Sequence, residues 1–365
     1  MLKKIVLTNG SNLTSLPEEF CCLQSLEHLQ LEHCKELSSL PTRFGDLRNL
    51  RFLLLSSCWK LRMLPVSFKK LMLLQYLYLG SCSQLILRPE DFQNVRKLEY
   101  INLSRCKQLE ELPPHITNQA SLKELYLEGA NKLRELPENI GQLSRLQEMI
   151  IGTQLLTSLP ISLGDLTSLR GLSIKNCPSL ESLPTSLGNL SSLRNLSITD
   201  CPSLKCLPQS EQHFNLLENL RIQACPIKVD LGAASLPFGL SNLKDITLIA
   251  TEVCRISLSE GLYSHLESLN LHKNNHLTEI EALPPTLKSI RLRDCKMLKN
   301  IRAPCYLVNL EHLEIVSCPE LQELPSFACS TSLREFELLE GCYRVQKIEG
   351  LEHCTRLEIL KVDSD

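Results

Sequence analysis

A leucine spacing of about 24 residues runs through the whole sequence and limits the folds that the chain can adopt. Within one unit the recurring apolar positions are Leu26, Leu29, Leu31, Cys34, Leu37, Leu40, Phe44 and Leu47, and adding 24 to each number gives the next unit. The first leucine of the unit returns at intervals of 21 to 26 residues, at Leu2, Leu26, Leu50, Leu74, Leu98, Leu122, Leu146, Leu169, Leu193, Leu217, Leu243, Leu266, Leu287, Leu310, Leu333 and Leu357. Such a period predicts stacked equivalent coils, in which each coil covers its neighbours.

Each unit contains the pattern LxxLxL, in which apolar and polar residues alternate over one short segment. This alternation predicts a strand with its leucines on one face and the intervening residues on the other. About 24 residues separate one predicted strand from the next, which is too little chain for an antiparallel meander. We therefore expect the strands to run parallel, with each return segment crossing back behind the sheet. The return segment reads LPxxFGxL or LPxxLGxL, as in residues 183–190, and this spacing predicts a single short helical turn.

The predicted fold class is therefore an α/β solenoid. We expect a horseshoe with parallel strands on the concave face and short helical turns or loops on the convex face, because the helical side is bulkier. The predicted organisation is a single domain over residues 1–365, with about 15 repeats of 21 to 26 residues and a partial C-terminal repeat. Neither end carries an obvious polar cap, which favours a fragment of a larger protein or a product derived from one.

The repeat unit resembles the leucine-rich repeats of plant intracellular nucleotide-binding leucine-rich-repeat disease-resistance proteins. Residues 169–184, which read LRGLSIKNCPSLESLP, carry the resemblance most clearly, and it extends over essentially the whole chain. The GxIP step of plant cell-surface receptors is missing, which favours the intracellular branch. The resemblance implies a protein-recognition domain in plant innate immunity. The sequence has no P-loop, no signalling domain and no kinase segment, so nucleotide binding does not follow from it.

Composition and motifs narrow the function further. The formal net charge of −2 gives no electrostatic basis for binding nucleic acid, and no apolar stretch reaches the roughly 20 residues that span a bilayer. The first ten residues lack the apolar core of a signal peptide, so we expect a cytoplasmic protein. The motifs GxSxG, HExxH and GxGxxG are absent as well, and we expect no catalysis, no cofactor and no metal site.

Nine of the seventeen cysteines share one place in their repeats, just after the strand. These ladder cysteines are Cys34, Cys58, Cys82, Cys106, Cys177, Cys201, Cys225, Cys295 and Cys318. A small buried side chain with a weak S–H donor suits a turn whose backbone groups need partners. We expect an inward row of reduced thiols; the alternative is zinc or redox chemistry, which no CxxC pair or Cys/His cluster supports.

Aromatic residues mark the first candidate site. Phe52, Tyr76 and Tyr100 occupy one strand register of three successive repeats, and Tyr78 and Tyr126 occupy the next exposed register. An exposed aromatic stripe on a rigid sheet is typical of a protein-binding hot spot. The alternative interpretation is that aromatics stand there because they form strands well.

Charged residues mark the second candidate site. Basic side chains are predicted on the concave face of the later repeats, at Arg221, Lys273, Arg291 and Arg293. Acidic side chains follow them at Glu314, Glu335 and Glu337. The change from positive to negative charge along the concave face would orient a charged partner. The alternative interpretation is that these residues form an ordinary solvated surface.

The expected partner is a protein: a pathogen effector, a host protein or a neighbouring signalling domain that the repeat holds inactive. A second hypothesis is an adaptor, such as a substrate-recruiting component of a ubiquitin ligase, although no F-box or other ligase-docking segment is visible. A third is a scaffold that regulates other signalling enzymes.

Overall fold

The computed structural model describes most of the chain, namely residues 2–208, 214–227, 240–258, 261–303 and 307–363. The chain forms two compact units, residues 1–190 and residues 191–365. In both units short parallel strands are stacked one per repeat, which confirms the predicted solenoid. The organisation as a single domain stays a prediction.

The first unit has eight parallel strands. They are β1 (Lys4–Val6), β2 (His28–Gln30), β3 (Phe52–Leu54), β4 (Tyr76–Tyr78), β5 (Tyr100–Asn102), β6 (Glu124–Glu128), β7 (Glu148–Gly152) and β8 (Gly171–Lys175). Each strand pairs with the strand of the next repeat, and the inward leucines are in register from Leu29 to Leu53 to Leu77. The register follows the sequence period, because residues pair with their equivalents 24 positions later from β1 to β7 and 23 positions later between β7 and β8.

The return segments of the first unit contain short 3₁₀ helices, as the LPxxFGxL pattern predicts. Over residues 2–190 they are Glu18–Cys22, Phe44–Asp46, Val66–Lys70, Pro114–Asn118, Ile140–Gln142, Ile161–Asp165 and Thr185–Asn189. Proline precedes several of them with its φ already near the helical value, as at Pro65 with φ −67°. Their apolar residues point inward, so that Phe44 and Phe68 are fully buried.

The second unit contains two parallel sheets. Its strands are β9 (Asn195–Thr199), β10 (Asn219–Gln223), β11 (Asp245–Ile249), β12 (Arg255–Ser257), β13 (Ser268–His272), β14 (Glu279–Glu281), β15 (Ser289–Arg293), β16 (Asn300–Arg302), β17 (His312–Val316), β18 (Glu335–Leu339) and β19 (Ile359–Val362). The one 3₁₀ helix in the described part of this unit is Leu351–His353. Strands β12, β14 and β16 form a separate three-stranded sheet, and the others continue the one-strand-per-repeat pattern.

The sequence analysis did not predict the three-stranded sheet. In the first unit the equivalent segment lies between the ladder cysteine and the Leu-Pro pair of each repeat. The central residues of the three strands are Ile256, Ile280 and Ile301. All three are buried between polar neighbours that face outward. The β-branched side chains and the alternation of two favour an extended, paired segment at this step.

The ladder cysteines form a buried inward row in which the thiols bond to the backbone. The Sγ atoms of Cys58 and Cys82 donate to the carbonyl oxygens of Leu31 and Leu55, at 3.2 and 3.1 Å. The residue before each ladder cysteine has a left-handed φ between 49° and 64°, and this sharp turn directs the thiol inward. The thiols of Cys58 and Cys82 therefore satisfy a carbonyl of the preceding repeat, whereas the thiol of Cys318 lies 3.6 Å from the Val316 carbonyl of its own repeat.

Another side chain performs the same task where the cysteine is missing. Asn274 follows β13 at the ladder position and is fully buried. Its Nδ2 donates to the Leu248 carbonyl at 2.8 Å, while its Oδ1 accepts from the Thr251 backbone and hydroxyl. A small hydrogen-bonding side chain at the ladder position can therefore satisfy a carbonyl of the preceding repeat, and both cysteine and asparagine do so.

Candidate functional site

The structure brings the predicted aromatic residues of the first unit together on four neighbouring strands. Phe52, Tyr76 and Tyr100 are paired in register on β3, β4 and β5. Tyr78 and Tyr126 stand one step further along, on β4 and β6, with Asn102 between them. The inward positions of these strands hold buried aliphatic side chains, so the aromatic residues lie on the opposite, outer face of the sheet.

We call Phe52, Tyr76, Tyr78, Tyr100 and Tyr126 the aromatic cluster. The Phe52 and Tyr76 rings stack in parallel, with centroids 4.4 Å apart and an interplanar angle of 2°. Tyr100 stacks on Tyr78 at 4.3 Å instead of continuing that stack, since its ring lies 6.5 Å from Tyr76. It also contacts Tyr126 at 5.3 Å and 42°. Tyr100 is therefore the centre of the cluster.

One ring that the sequence analysis missed extends the stack. His28 lies on β2, in register with Phe52, and the two ring centroids are 4.2 Å apart. The signal was in the sequence, because position 28 is 24 residues before position 52. A histidine at a strand position is a weaker sign of ring stacking than a phenylalanine or tyrosine, because it is also an ordinary polar residue.

The aromatic cluster is less exposed than its sequence suggests. All five side chains are half-buried, although nothing in the chain was expected to cover them. The rings cover one another, because neighbouring strands hold them at stacking distance. Each half-buried ring keeps part of its surface accessible to a partner. Because stacking already restricts the side-chain rotamers, binding at this surface would cost little further conformational entropy.

Two acidic residues border the aromatic cluster. Glu124 on β6 and Glu148 on β7 are paired in register, and the Tyr126 hydroxyl donates to the Glu124 carboxylate at 2.7 Å. Burial raises the pKa of Glu148, and the nearby charge of Glu124 raises it further. Gly171 follows in the same register on β8, where a Cβ would collide with the Glu148 carboxylate. This acidic border was not predicted.

Two residues of the predicted basic patch in the second unit share an acidic partner within the chain. Arg291 and Arg293 project from β15 and both reach Glu314 on β17, at 3.7 Å and 2.7 Å from their Nε atoms. Glu335 accepts from His312 at 3.1 Å, and Glu337 is paired with Lys361. Glu314 and Glu337 therefore form ion pairs with basic side chains of a neighbouring strand, and Glu335 is hydrogen-bonded to the His312 ring.

The other two basic residues of the predicted patch stand apart from this pair. Arg221 is exposed on β10, and Thr247 and Asn270 occupy its register on the two strands between it and Arg291. Lys273 follows the end of β13 in a left-handed turn, with φ 56°, and so lies beyond the face formed by the strands. The structure brings Arg291 and Arg293 together but does not gather all four residues into one site.

Within the described residues, no three His, Cys, Asp or Glu side chains form a group that could hold a metal ion. The same residues contain no helix with the length and apolar character needed to cross a membrane.

Comparison with known proteins gives the fold. Residues 79–253 match the sequence model of a leucine-rich repeat region. A leucine-rich-repeat protein of Leptospira interrogans superposes with a TM-score of 0.76 at 22% identity, covering 98% of this chain and 90% of that one. The functional domain of InlJ from Listeria monocytogenes, described as including a cysteine ladder, gives 0.60 at 19% identity over 90% of this chain and 68% of that one.

A third similar structure is Toll from the Drosophila Toll–Spatzle complex, with a TM-score of 0.61 at 19% identity, over 89% of this chain and 45% of that one. No curated protein matches the sequence. The chain thus has the leucine-rich-repeat fold, and identities this low establish the fold alone.

Proposed function

We propose that the chain is a protein-recognition module and that the aromatic cluster is its binding surface. The observation that carries the proposal is the stacked set of half-buried aromatic side chains on the outer face of β3 to β6. Solenoid repeats offer extended surfaces of this kind to other macromolecules. Tyrosine is enriched among the residues that dominate binding energy, since a rigid ring gives a large contact area with little loss of freedom.

The energetics favour a partner over solvent at this surface. Burial of apolar surface contributes roughly 25 cal/mol per Å², and a preformed ring stack loses little entropy on binding. The basic side chains Arg291 and Arg293 are already paired with Glu314, so they contribute less to a contact than free charges would. Arg221 and Lys273 are left as secondary contacts at the second unit.

The biological setting of the proposal is plant innate immunity in the cytoplasm. The repeat phrasing of residues 169–184 supports it, and so do ladder cysteines that serve as thiol donors, because thiols persist in a reducing compartment. The proposed partner is a pathogen effector, a host protein or a neighbouring signalling domain. Recognition by the repeat, and not catalysis, is the proposed activity.

Affinity capture from plant leaf extract tests the proposal. Tyr76→Ala and Tyr100→Ala should each weaken capture of a specific protein by about 2 kcal/mol or more, because each removes a ring from the aromatic cluster. Tyr343→Ala is the matched control, since Tyr343 is 70% exposed and lies in the other unit. The proposal fails if both cluster variants capture the protein as well as the control does.

The identity of the captured protein separates the hypotheses. Immune signalling components or pathogen proteins support a receptor-type recognition module. Ubiquitin-ligase subunits that bind independently of the aromatic cluster would favour the adaptor hypothesis.

A further inference from the structure

Two like charges stand side by side at the border of the aromatic cluster. Glu124 and Glu148 are register partners on adjacent strands, an arrangement that destabilises a sheet when nothing compensates it. Two other strand-associated carboxylates of this unit have basic partners: Glu99 pairs with Lys123 at 2.7 Å and Glu128 with Lys175 at 3.6 Å. Within the described residues, neither Glu124 nor Glu148 has an ion pair of this kind.

The charge of the pair extends over the rings. The carboxylate of Glu124 contributes to the raised pKa values of Tyr78, Tyr100 and Tyr126, in each case after burial as the larger cause. The Tyr126 hydroxyl also donates to Glu124, which fixes the carboxylate at the edge of the ring. Arg170 lowers the pKa of Glu148 by its charge, but less than burial and Glu124 raise it.

Ring faces and carboxylates attract the same kind of group. The face of an aromatic ring carries partial negative charge, and a cation placed over it gains from this and from any nearby anion. Around Tyr100 the Tyr78 and Tyr126 rings lie at 4.3 and 5.3 Å, and the second is tilted by 42°. The surface therefore combines tilted rings with two carboxylates that have no ion pair among the described residues.

We propose that the aromatic cluster with Glu124 and Glu148 binds lysine or arginine side chains, so that its partner presents a basic segment. The inference rests on the proposed function and adds the chemistry of the partner. A basic side chain would lie over the Tyr100 and Tyr126 rings and place its charge between the two carboxylates. Binding would then relieve the repulsion that the free protein retains, whereas an acidic partner would increase it.

Peptide binding to the full chain tests this inference. The probes are tetralysine, tetraarginine and tetraglutamate peptides with acetylated and amidated ends, measured by calorimetry at low salt. We expect the two basic peptides to bind and tetraglutamate not to bind. Glu124→Gln with Glu148→Gln should weaken binding of the basic peptides by about fivefold, and Tyr100→Leu should do so by a similar factor.

A matched control removes the same formal charge elsewhere on the unit. Glu19 and Glu138 are exposed residues of return segments, away from the strands. Glu19→Gln with Glu138→Gln should bind the basic peptides as the parent does. The melting temperature of Glu124→Gln with Glu148→Gln should equal or exceed that of the parent, because a repulsive pair has been removed. This melting measurement shows that weaker binding does not come from unfolding.

Each outcome decides the inference. Equal binding of basic peptides by the parent, the Glu124→Gln with Glu148→Gln variant and Tyr100→Leu would overturn it, as would equal binding of tetraglutamate. A captured protein partner separates the two proposals. If Tyr100→Ala weakens that partner's binding and the glutamine variant does not, the inference fails and the proposed function stands. If neither variant weakens it, both fail.

Discussion

The ladder cysteines show how a single side chain can be required for the fold without being reactive. Cys106 is buried, and its Sγ donates to the Leu79 carbonyl at 3.2 Å. Burial raises the pKa of this thiol from its ordinary value of 9.0 to about 12, so the thiolate is scarce at neutral pH. A thiol that does not ionise is a poor nucleophile and a poor metal ligand, which supports a structural role for Cys106.

The raised pKa of Cys106 predicts a loss of stability in alkali. The folded state keeps this proton while the unfolded state loses it above about pH 9, so the contribution is complete below pH 9 and falls as the pH rises toward 12. Between about pH 8 and pH 10.5, the advantage of the parent over Cys106→Ala in free energy of unfolding should shrink by about 1 to 2 kcal/mol. Urea unfolding of both proteins measures it. An advantage that is constant with pH would contradict the assigned burial.

Residue positions were predictable from the sequence wherever the 24-residue period decided them. The period placed Phe52, Tyr76 and Tyr100 in one register, and the structure has them there. It did not reveal that Tyr100 turns toward Tyr78, because the ring direction depends on side-chain rotamers. For the same reason the sequence did not reveal the hydrogen bond between Arg293 and Glu314, which lie on adjacent strands.

At the scale of the strand, alternation determines which substitutions are costly. Leu196 and Ser197 are neighbours on β9, but Leu196 is 2% exposed while Ser197 faces outward and is half-buried. Leu196→Ala should cost about 2 to 5 kcal/mol of unfolding free energy, because it leaves a cavity among inward leucines. Ser197→Ala should stay within about 0.5 kcal/mol of the parent. Chemical denaturation of both variants checks the assignment, and equal costs would mean that the faces are reversed.

The elements that the sequence did not predict are those that depend on more than one repeat. A three-residue segment such as Arg255–Ser257 is too short to be identified as a strand by itself, and it becomes one only because Glu279–Glu281 pairs with it. The 3₁₀ helices were predictable because proline sets their first φ within a single segment. Local conformational preference is readable in the sequence, whereas pairing between return segments is not.

At the scale of the whole molecule, each coil is buried only by its neighbours. Leu313, Phe336 and Leu360 are register partners on β17, β18 and β19, and their exposed fractions are 2%, 0% and 51%. The inward leucine of β19 is therefore about half exposed, because among the described residues β19 pairs with β18 on one side only.

This difference in exposure predicts unequal costs for the same substitution. Leu313→Ala should destabilise by about 2 to 5 kcal/mol, while Leu360→Ala should cost about 1 kcal/mol or less. Thermal unfolding of the two variants measures this gradient along the stack. Equal losses at both positions would show that burial at β19 is greater than the structure has it.

Hydroxyl-radical footprinting of the chain with and without its captured partner tests the central claim most directly. The method reports the solvent access of each tyrosine in one experiment. We predict that Tyr76, Tyr78, Tyr100 and Tyr126 become protected on binding, and that Tyr343, which is 70% exposed in the free chain, keeps its reactivity. A complex in which the four cluster tyrosines react as in the free chain would contradict the assignment of the aromatic cluster as the binding surface.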